Sequence, residues 1–177
     1  MRRRPACDEA MRIADLTETL QRLGAKDCHV HRILRAWLAA RPLDAGPRLA
    51  EHALPRAVRD ALPALEAQLQ GLVRLRSQHP GEDGSARLLV GLSDGQTVES
   101  VLLPRDGLCV SSQVGCAVGC VFCMTGRDGL IRQIGSAEIV AQVVLARQQR
   151  VVKKVVFMGM GEPAHNLDNV LEAIDLL

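Results

Sequence analysis

Three cysteines sit close together as Cys116-Ala-Val-Gly-Cys120-Val-Phe-Cys123. Three thiolates within eight residues of one glycine-bearing loop can converge on a single soft metal centre. A structural zinc site normally adds a second Cys-x2-Cys pair or histidines, and no matching pair follows here. Inert buried thiols explain the spacing poorly. A four-iron cluster ordinarily takes four thiolates. A loop offering only three leaves one iron open to a substrate or cofactor, so the expected metal ligands are Cys116, Cys120 and Cys123. Gly115 and Gly119 can turn backbone N–H groups toward the sulfurs, and Phe122 could shield them.

A second group follows downstream. Gly159-Met160-Gly161-Glu162-Pro163 comes directly after the apolar run Val155-Val156-Phe157. Its glycines allow backbone to approach a ligand closely. Alone, Gly-x-Gly-Glu is a weak signal. Its position one strand–helix unit after the cysteine loop strengthens it. Other polar residues have plainer readings. Cys109 reads as a buried strand cysteine and Glu99 as a solvated strand carboxylate. Ser111, Ser112 and Gln113 either touch a ligand or order the loop. His29 and His31 lie two apart, so on a helix they face different ways and do not make a metal site. Cys7 and Cys28 have no partners at useful spacing, and Trp37 reads as helical core.

The elements that must hold these groups are legible. Ile13, Leu16, Leu20 and Leu23 recur at helical spacing, with Gly24 as the stop. Val30, Ile33, Leu34, Trp37 and Leu38 mark a second helix, ended by Arg41-Pro42. A third opens at Leu54-Pro55 and runs through Val58, Leu62 and Leu65, with Pro63 expected to break or kink it. Alternation from Leu72 predicts a strand, followed by a turn at His79 to Gly84. Arg87 to Leu92 and Thr97 to Leu103 predict a hairpin closed by Ser93-Asp94-Gly95. Leu108 to Ser112 predicts a short strand into the cysteine loop. Ser136 is the expected N-cap of a helix with Glu138 in its first turn. Lys153 to Met158 predicts a buried strand, and Asn166 the cap of a last helix. Strand, loop, helix, strand, loop, helix is the opening of a parallel α/β barrel or sheet, and two such strands cannot close a barrel.

The expected fold class is therefore α/β, with a helical accessory domain over 1–70, an antiparallel β extension over 71–104 and part of a barrel over 105–177. At 47% hydrophobic the chain can bury a real core, and its net charge of +2 does not by itself demand nucleic acid. Basic residues are nearly all arginine, which suits phosphate but also fits a GC-rich genome. Aromatics make up 2%, too few for base-stacking platforms. No apolar run reaches about 18 residues, so no transmembrane helix is expected. Arg2-Arg3-Arg4 is followed too soon by Asp8, Glu9 and Arg12 to open a signal peptide. A cytoplasmic location follows, and in a reducing compartment six cysteines do not form a disulfide framework.

The loop Cys-x3-Cys-x-Phe-Cys, with Gly-Met-Gly-Glu-Pro after the next strand, resembles the radical S-adenosylmethionine superfamily. The resemblance implies a [4Fe-4S] cluster whose open iron chelates S-adenosylmethionine. It also implies contacts to that cofactor from Gly161 and Glu162, the latter accepting from the methionyl ammonium. Cys109-Val-Ser-Ser-Gln-Val-Gly-Cys116 and the stretch Asp94 to Pro104 are similar to the radical methyltransferases that methylate adenine C2 in 23S rRNA and tRNA. That likeness is tight from Glu99 to Asn166 and loose over the helical stretch Gly24 to Trp37. It implies that Cys109 resolves a covalent RNA–enzyme intermediate and that Glu99 accepts a proton. It further implies an RNA substrate, an electron donor such as flavodoxin, no membrane and a monomer. The family's second essential cysteine, which is methylated and delivers the carbon, has no match in this chain. The alternatives are a radical enzyme with another substrate and a non-catalytic Fe–S or RNA-binding remnant.

Overall fold

The computed structural model describes residues 10–45 and 53–177. Arg2 to Arg4 and Cys7 lie outside the described residues. Three helices come first: α1 (Ile13–Arg22), α2 (Asp27–Leu38) and α3 (Arg56–Gly71). α1 buries Ile13, Leu16 and Leu20. It stops where the spacing predicts. Gly24 takes φ +87°, and the Gly24 and Ala25 N–H groups donate to the Gln21 and Leu20 carbonyls at 2.8 and 3.0 Å. These two bonds satisfy carbonyls left open at the helix end. α3 runs through Pro63 without a break. Proline removes one donor from a helix, and here the buried row Val58, Leu62, Leu65 and Leu69 holds the segment helical on both sides of it.

One five-stranded sheet follows, in the order β1-β2-β3-β4-β7. Its strands are β1 (Val73–Pro80), β2 (Ala86–Leu92), β3 (Thr97–Leu103), β4 (Gly107–Cys109) and β7 (Lys154–Val156). The first three form an antiparallel meander, β3 pairs antiparallel with β4, and β4 pairs parallel with β7. The predicted turn at His79 starts later, because β1 continues through Pro80. The parallel pair is joined by α4 (Ser136–Arg147), and α5 (Leu167–Leu176) follows β7. This is the expected strand–helix alternation, with the antiparallel strands extending the same sheet. A second, two-stranded sheet was not foreseen: β5 (Gln113–Gly115) pairs antiparallel with β6 (Leu130–Gln133).

The two faces of the large sheet differ. On β3, Val98, Ser100 and Leu102 are buried, while Thr97, Glu99, Val101 and Leu103 are half-buried. α4 covers the buried side: Ser100 Oγ donates to Gln142 Oε1 at 2.9 Å. One continuous core joins Ile33, Trp37 and Val58 from the helices with Leu88, Leu108, Ile139 and Val143.

Ser136 does not cap its own helix. Gly135 holds that place, and its N–H donates to Glu138 Oε2 at 2.9 Å. The Ser136 hydroxyl instead accepts from the Ile13 N–H at 2.8 Å and donates to Glu172 Oε2 at 2.6 Å. Glu172 Oε1 accepts from the Ala14 N–H at 2.7 Å. Residues of α4 and α5 thus satisfy the open N–H groups at the start of α1. Local sequence cannot show a cap supplied from so far along the chain.

Candidate functional site

Cys109 ends β4, and the chain continues into the stretch Val110 to Gln113. This stretch packs against the loop after β7. The Val110 N–H donates to the Val156 carbonyl at 2.9 Å, and the Gly159 N–H to the Val110 carbonyl at 3.0 Å. The Ser112 and Gln113 N–H groups both donate to the Met160 carbonyl, at 2.9 and 3.2 Å. The approach is close enough to exclude side chains. A Cβ on Gly159 would lie 2.7 Å from the Val110 carbonyl oxygen. One on Gly161, at φ +100°, would lie 2.5 Å from Gln113 Cβ.

Side chains continue the pattern. Ser111 Oγ accepts from the Met160 N–H at 2.8 Å and donates to the Glu99 carbonyl at 2.5 Å. Gln113 Oε1 accepts from the Glu162 N–H at 2.8 Å. Asn166 Nδ2 donates to the Ser112 and Ile134 carbonyls at 2.7 and 2.8 Å. Gln142 holds Ser111 from the α4 side through its N–H and carbonyl, both at 3.0 Å. The open question over Ser111 and Gln113 is answered for these contacts: they order the loop. Ser112 Oγ is buried and has no hydrogen-bond partner among the described residues. Glu162 turns Oε1 onto the Ala164 N–H at 3.0 Å and caps a short 3-10 turn over Pro163–Asn166. A carboxylate has about four lone-pair positions, so this bond leaves acceptor capacity.

The cysteine loop is built differently. Its base is the β5–β6 ladder, tightened by the Cys116 N–H donating to the Gly129 carbonyl at 3.1 Å. A Cβ on Gly115, at φ +74°, would fall 2.1 Å from that same carbonyl. Cys116 is buried, whereas Cys120 and Cys123 are exposed. Hydrogen bonds from the Thr125 side chain and backbone hold the Cys123 thiol below its ordinary value. Phe122 is 88% exposed and does not shield the thiols. Among the described residues no three His, Cys, Asp or Glu side chains are grouped tightly enough to hold a metal ion as they stand. The donor chemistry nonetheless fits an iron–sulfur cluster: three soft ligands in one loop, two of them accessible, on a fixed base.

The structure brings Cys109 and Glu99 onto one face. Cys109 pairs with Val101 and Val156, and Glu99 lies two residues before Val101. Side chains two apart on a strand share a face, and diagonal neighbours across strands are roughly 7–8 Å apart. Burial pushes the Cys109 thiol up, opposed by a hydrogen bond from the Met158 backbone. Glu99 is half-exposed and pairs with Arg87 Nη1 at 3.4 Å. His29 and His31 are local: Nδ1 of the first accepts from the Lys26 N–H, and Nε2 of the second from Arg35 Nε.

Sequence reasoning missed the residues that fix the loop's base. Arg132 on β6 bonds Glu138 at 2.8 and 2.9 Å and Asp94 at 2.6 Å. Burial works against the Arg132 charge, but the bonds to Glu138 and Asp94 outweigh it and raise its pKa. The hairpin turn, the loop base and the start of α4 are thereby tied at one point. A signal existed for Gln142, a lone amide inside the apolar run Ile139 to Ala146. Such a residue is buried and bonded far more often than free.

A glycine-rich loop laid against the end of a parallel strand, next to a three-thiol loop, is the arrangement that the resemblance to the radical S-adenosylmethionine class implies. Residues 110–177 match the family model described as "Radical SAM superfamily". This stretch is a radical SAM domain. It is 74% identical over 167 residues to a protein of Leptothrix cholodnii named "Probable RNA methyltransferase", covering 94% of this chain and 48% of that one. A protein of Azoarcus sp. with a similar name is 75% identical, again over 94% and 48%. Among solved structures, a radical SAM methyltransferase from Sphaerobacter thermophilus superposes with a TM-score of 0.66 at 30% identity, over 98% of this chain and 52% of that one. The chain thus spans about half the length of these relatives.

Proposed function

We propose that this chain carries the cluster- and cofactor-binding part of a radical S-adenosylmethionine methyltransferase that modifies C2 of adenine in 23S rRNA or tRNA. The observation that carries the reading is the packing of the Gly159–Pro163 loop onto the strand that leads into the three-thiol loop. The names of the relatives support an RNA methyltransferase. The match of Cys109 to Cys116 with the adenine-C2 family supports the finer substrate.

Cys116, Cys120 and Cys123 would hold a [4Fe-4S] cluster. With S-adenosylmethionine bound to it, that centre supplies a reductively generated radical and the methyl carbon. Electrons would come from a donor such as flavodoxin. Gly161 lets the loop that would meet the cofactor lie directly on Gln113, and Glu162 accepts from the methionyl ammonium, a charge-assisted bond. Cys109 is held as a protonated thiol by its burial, next to Glu99 on the same sheet face. Glu99 is the nearby proton acceptor, and Cys109 acts late, as the thiol that releases the product. Arg87 orients the Glu99 carboxylate through their ion pair.

The test uses a full-length relative-sized protein, anaerobically reconstituted. Cys109→Ala should keep its iron and cleave the cofactor, yet accumulate a covalent RNA–protein adduct visible on a denaturing gel. Normal release of 2-methyladenine-containing RNA by that variant would reduce the assignment to the superfamily.

A further inference from the structure

Gln113 is buried completely, and its amide is used at both ends. Oε1 accepts from the Glu162 N–H at 2.8 Å, and Nε2 donates to Gln133 Oε1 at 2.9 Å. Gln133 passes the contact on: its Nε2 donates to the His165 carbonyl at 2.8 Å. The two glutamines face each other across the β5–β6 ladder, where Gln113 pairs with Gln133. A chain of amides therefore runs from residue 162 through both strands of the hairpin and back to residue 165. It encloses the turn whose N-cap is Glu162. Gly161 completes the arrangement, since only a residue without Cβ fits over the Gln113 side chain.

The arrangement is directional. The Gln113 amide can serve Glu162 with oxygen only while Gln133 offers oxygen to its nitrogen, and Gln133 does so only while its own nitrogen finds the His165 carbonyl. Each amide fixes the orientation of the next. Serine or alanine at either position would leave a buried N–H or carbonyl without a partner. Neither glutamine reaches a thiol of the cysteine loop, so the pair has no part in binding metal.

We infer that Gln113, oriented by Gln133, is a positioning residue that latches the Glu162 loop to the base of the cysteine loop, so that cofactor affinity depends on this amide pair while cluster loading does not. The inference deepens the reading above and rests on it for the identity of the cofactor. The structural latch itself stands apart from that reading.

The experiment has two arms. In the first, without any ligand, amide hydrogen exchange is followed by mass spectrometry in the wild-type chain, in Gln113→Met and in Gln133→Met. The peptide spanning residues 157–166 should exchange at least tenfold faster in Gln113→Met, and less so in Gln133→Met, while α4 peptides stay unchanged. In the second, reconstituted proteins are titrated with S-adenosylmethionine by calorimetry after iron is counted. Gln113→Met should keep wild-type iron and bind the cofactor at least tenfold more weakly. Unchanged exchange over residues 157–166 overturns the latch, and so does wild-type cofactor affinity in Gln113→Met. Loss of iron in step with loss of affinity overturns the separation of roles. Failure of the wild type to take up iron or cofactor counts against the proposed function and leaves the first arm to decide the latch. If Gln113→Met fails to fold, Gln133→Met, which removes the acceptor that orients the Gln113 amide, still reads both arms.

Discussion

The stretch Ser111–Gln113 and the loop Cys116–Gly126 are neighbours in sequence and opposites in construction. In the first, all three residues are buried, and their backbone and the Ser111 and Gln113 side chains are bonded into the Gly159–Pro163 loop, α4 and Asn166. In the second, Val121, Phe122 and Met124 stand in solvent and two of three cysteines are exposed. On the proposed reading, the contrast follows from what each would hold. An organic cofactor binds to groups already in place, and preformed sites save the cost of ordering on binding. A metal centre supplies strong bonds of its own and can gather a loop around itself. The buried polar network would then serve the first task, and the ligand itself the second.

The largest effect expected is confined to the open loop. Cys120→Ala should abolish iron uptake, which in the wild type should reach about four per chain on anaerobic reconstitution. Its melting temperature before reconstitution should match the wild type, because the exposed thiol packs against nothing. Stoichiometric zinc with no iron would break the comparison at its root.

Arg132→Met probes the joint between the two regions. It leaves Glu138, whose side chain is 3% exposed, without its cation. Stranding a buried charge costs about 3 kcal/mol, measurable by urea denaturation. The acid limb should also change. Burial raises the Asp94 pKa, but hydrogen bonds from Arg132 and Gln96 lower it further, so the folded value lies below the usual one. A depressed carboxylate stabilises the fold above the unfolded pKa and loses that contribution as pH falls through the folded value. Below about pH 4 the wild type should therefore lose stability more steeply than Arg132→Met. Equal slopes would show that the pair adds nothing.

Asn166→Ala tests the built region alone. Two buried carbonyls, on Ser112 and Ile134, lose their donor. We expect a loss of about 2 kcal/mol with iron uptake intact. If iron uptake fell as well, the two regions would not be separable. The smallest effect belongs to Arg87→Ala. Its pair with Glu99 is exposed, so the stability change should stay near 0.5 kcal/mol. A larger change in turnover than in stability would mark the pair as functional.

What was legible in the sequence divides along similar lines. The helical stripes, the Asp94-Gly95 hairpin and the β4–α4–β7 order follow from periodicity and turn residues, which act over a few positions. The family likeness came from the cysteine spacing and the Gly-Met-Gly-Glu-Pro run. The β5–β6 ladder escaped because its strands are three and four residues long and show no alternation. Pro63 does not break α3, since propensity yields to a buried row that packs on both sides of it. A serine before an apolar run usually caps its own helix, but the partners of Ser136 lie 123 and 36 residues away. Shielding by Phe122 depends on loop conformation, which spacing alone does not specify.

The clasp between Glu172 and the start of α1 has a consequence for how the chain is made. The bonded groups, the Ala14 N–H and Glu172 Oε1, are 158 residues apart. At synthesis rates of about 5–20 residues per second, α1 waits roughly 8–30 s for its anchor. During that time the start of α1, with its apolar stripe of Ile13, Leu16 and Leu20, lacks the hold of α5. Contacts of such high sequence separation form late and slow the final step. Helix α1 should therefore be among the last elements to reach its place, and a chaperone that recognises short apolar helices would meet the chain there.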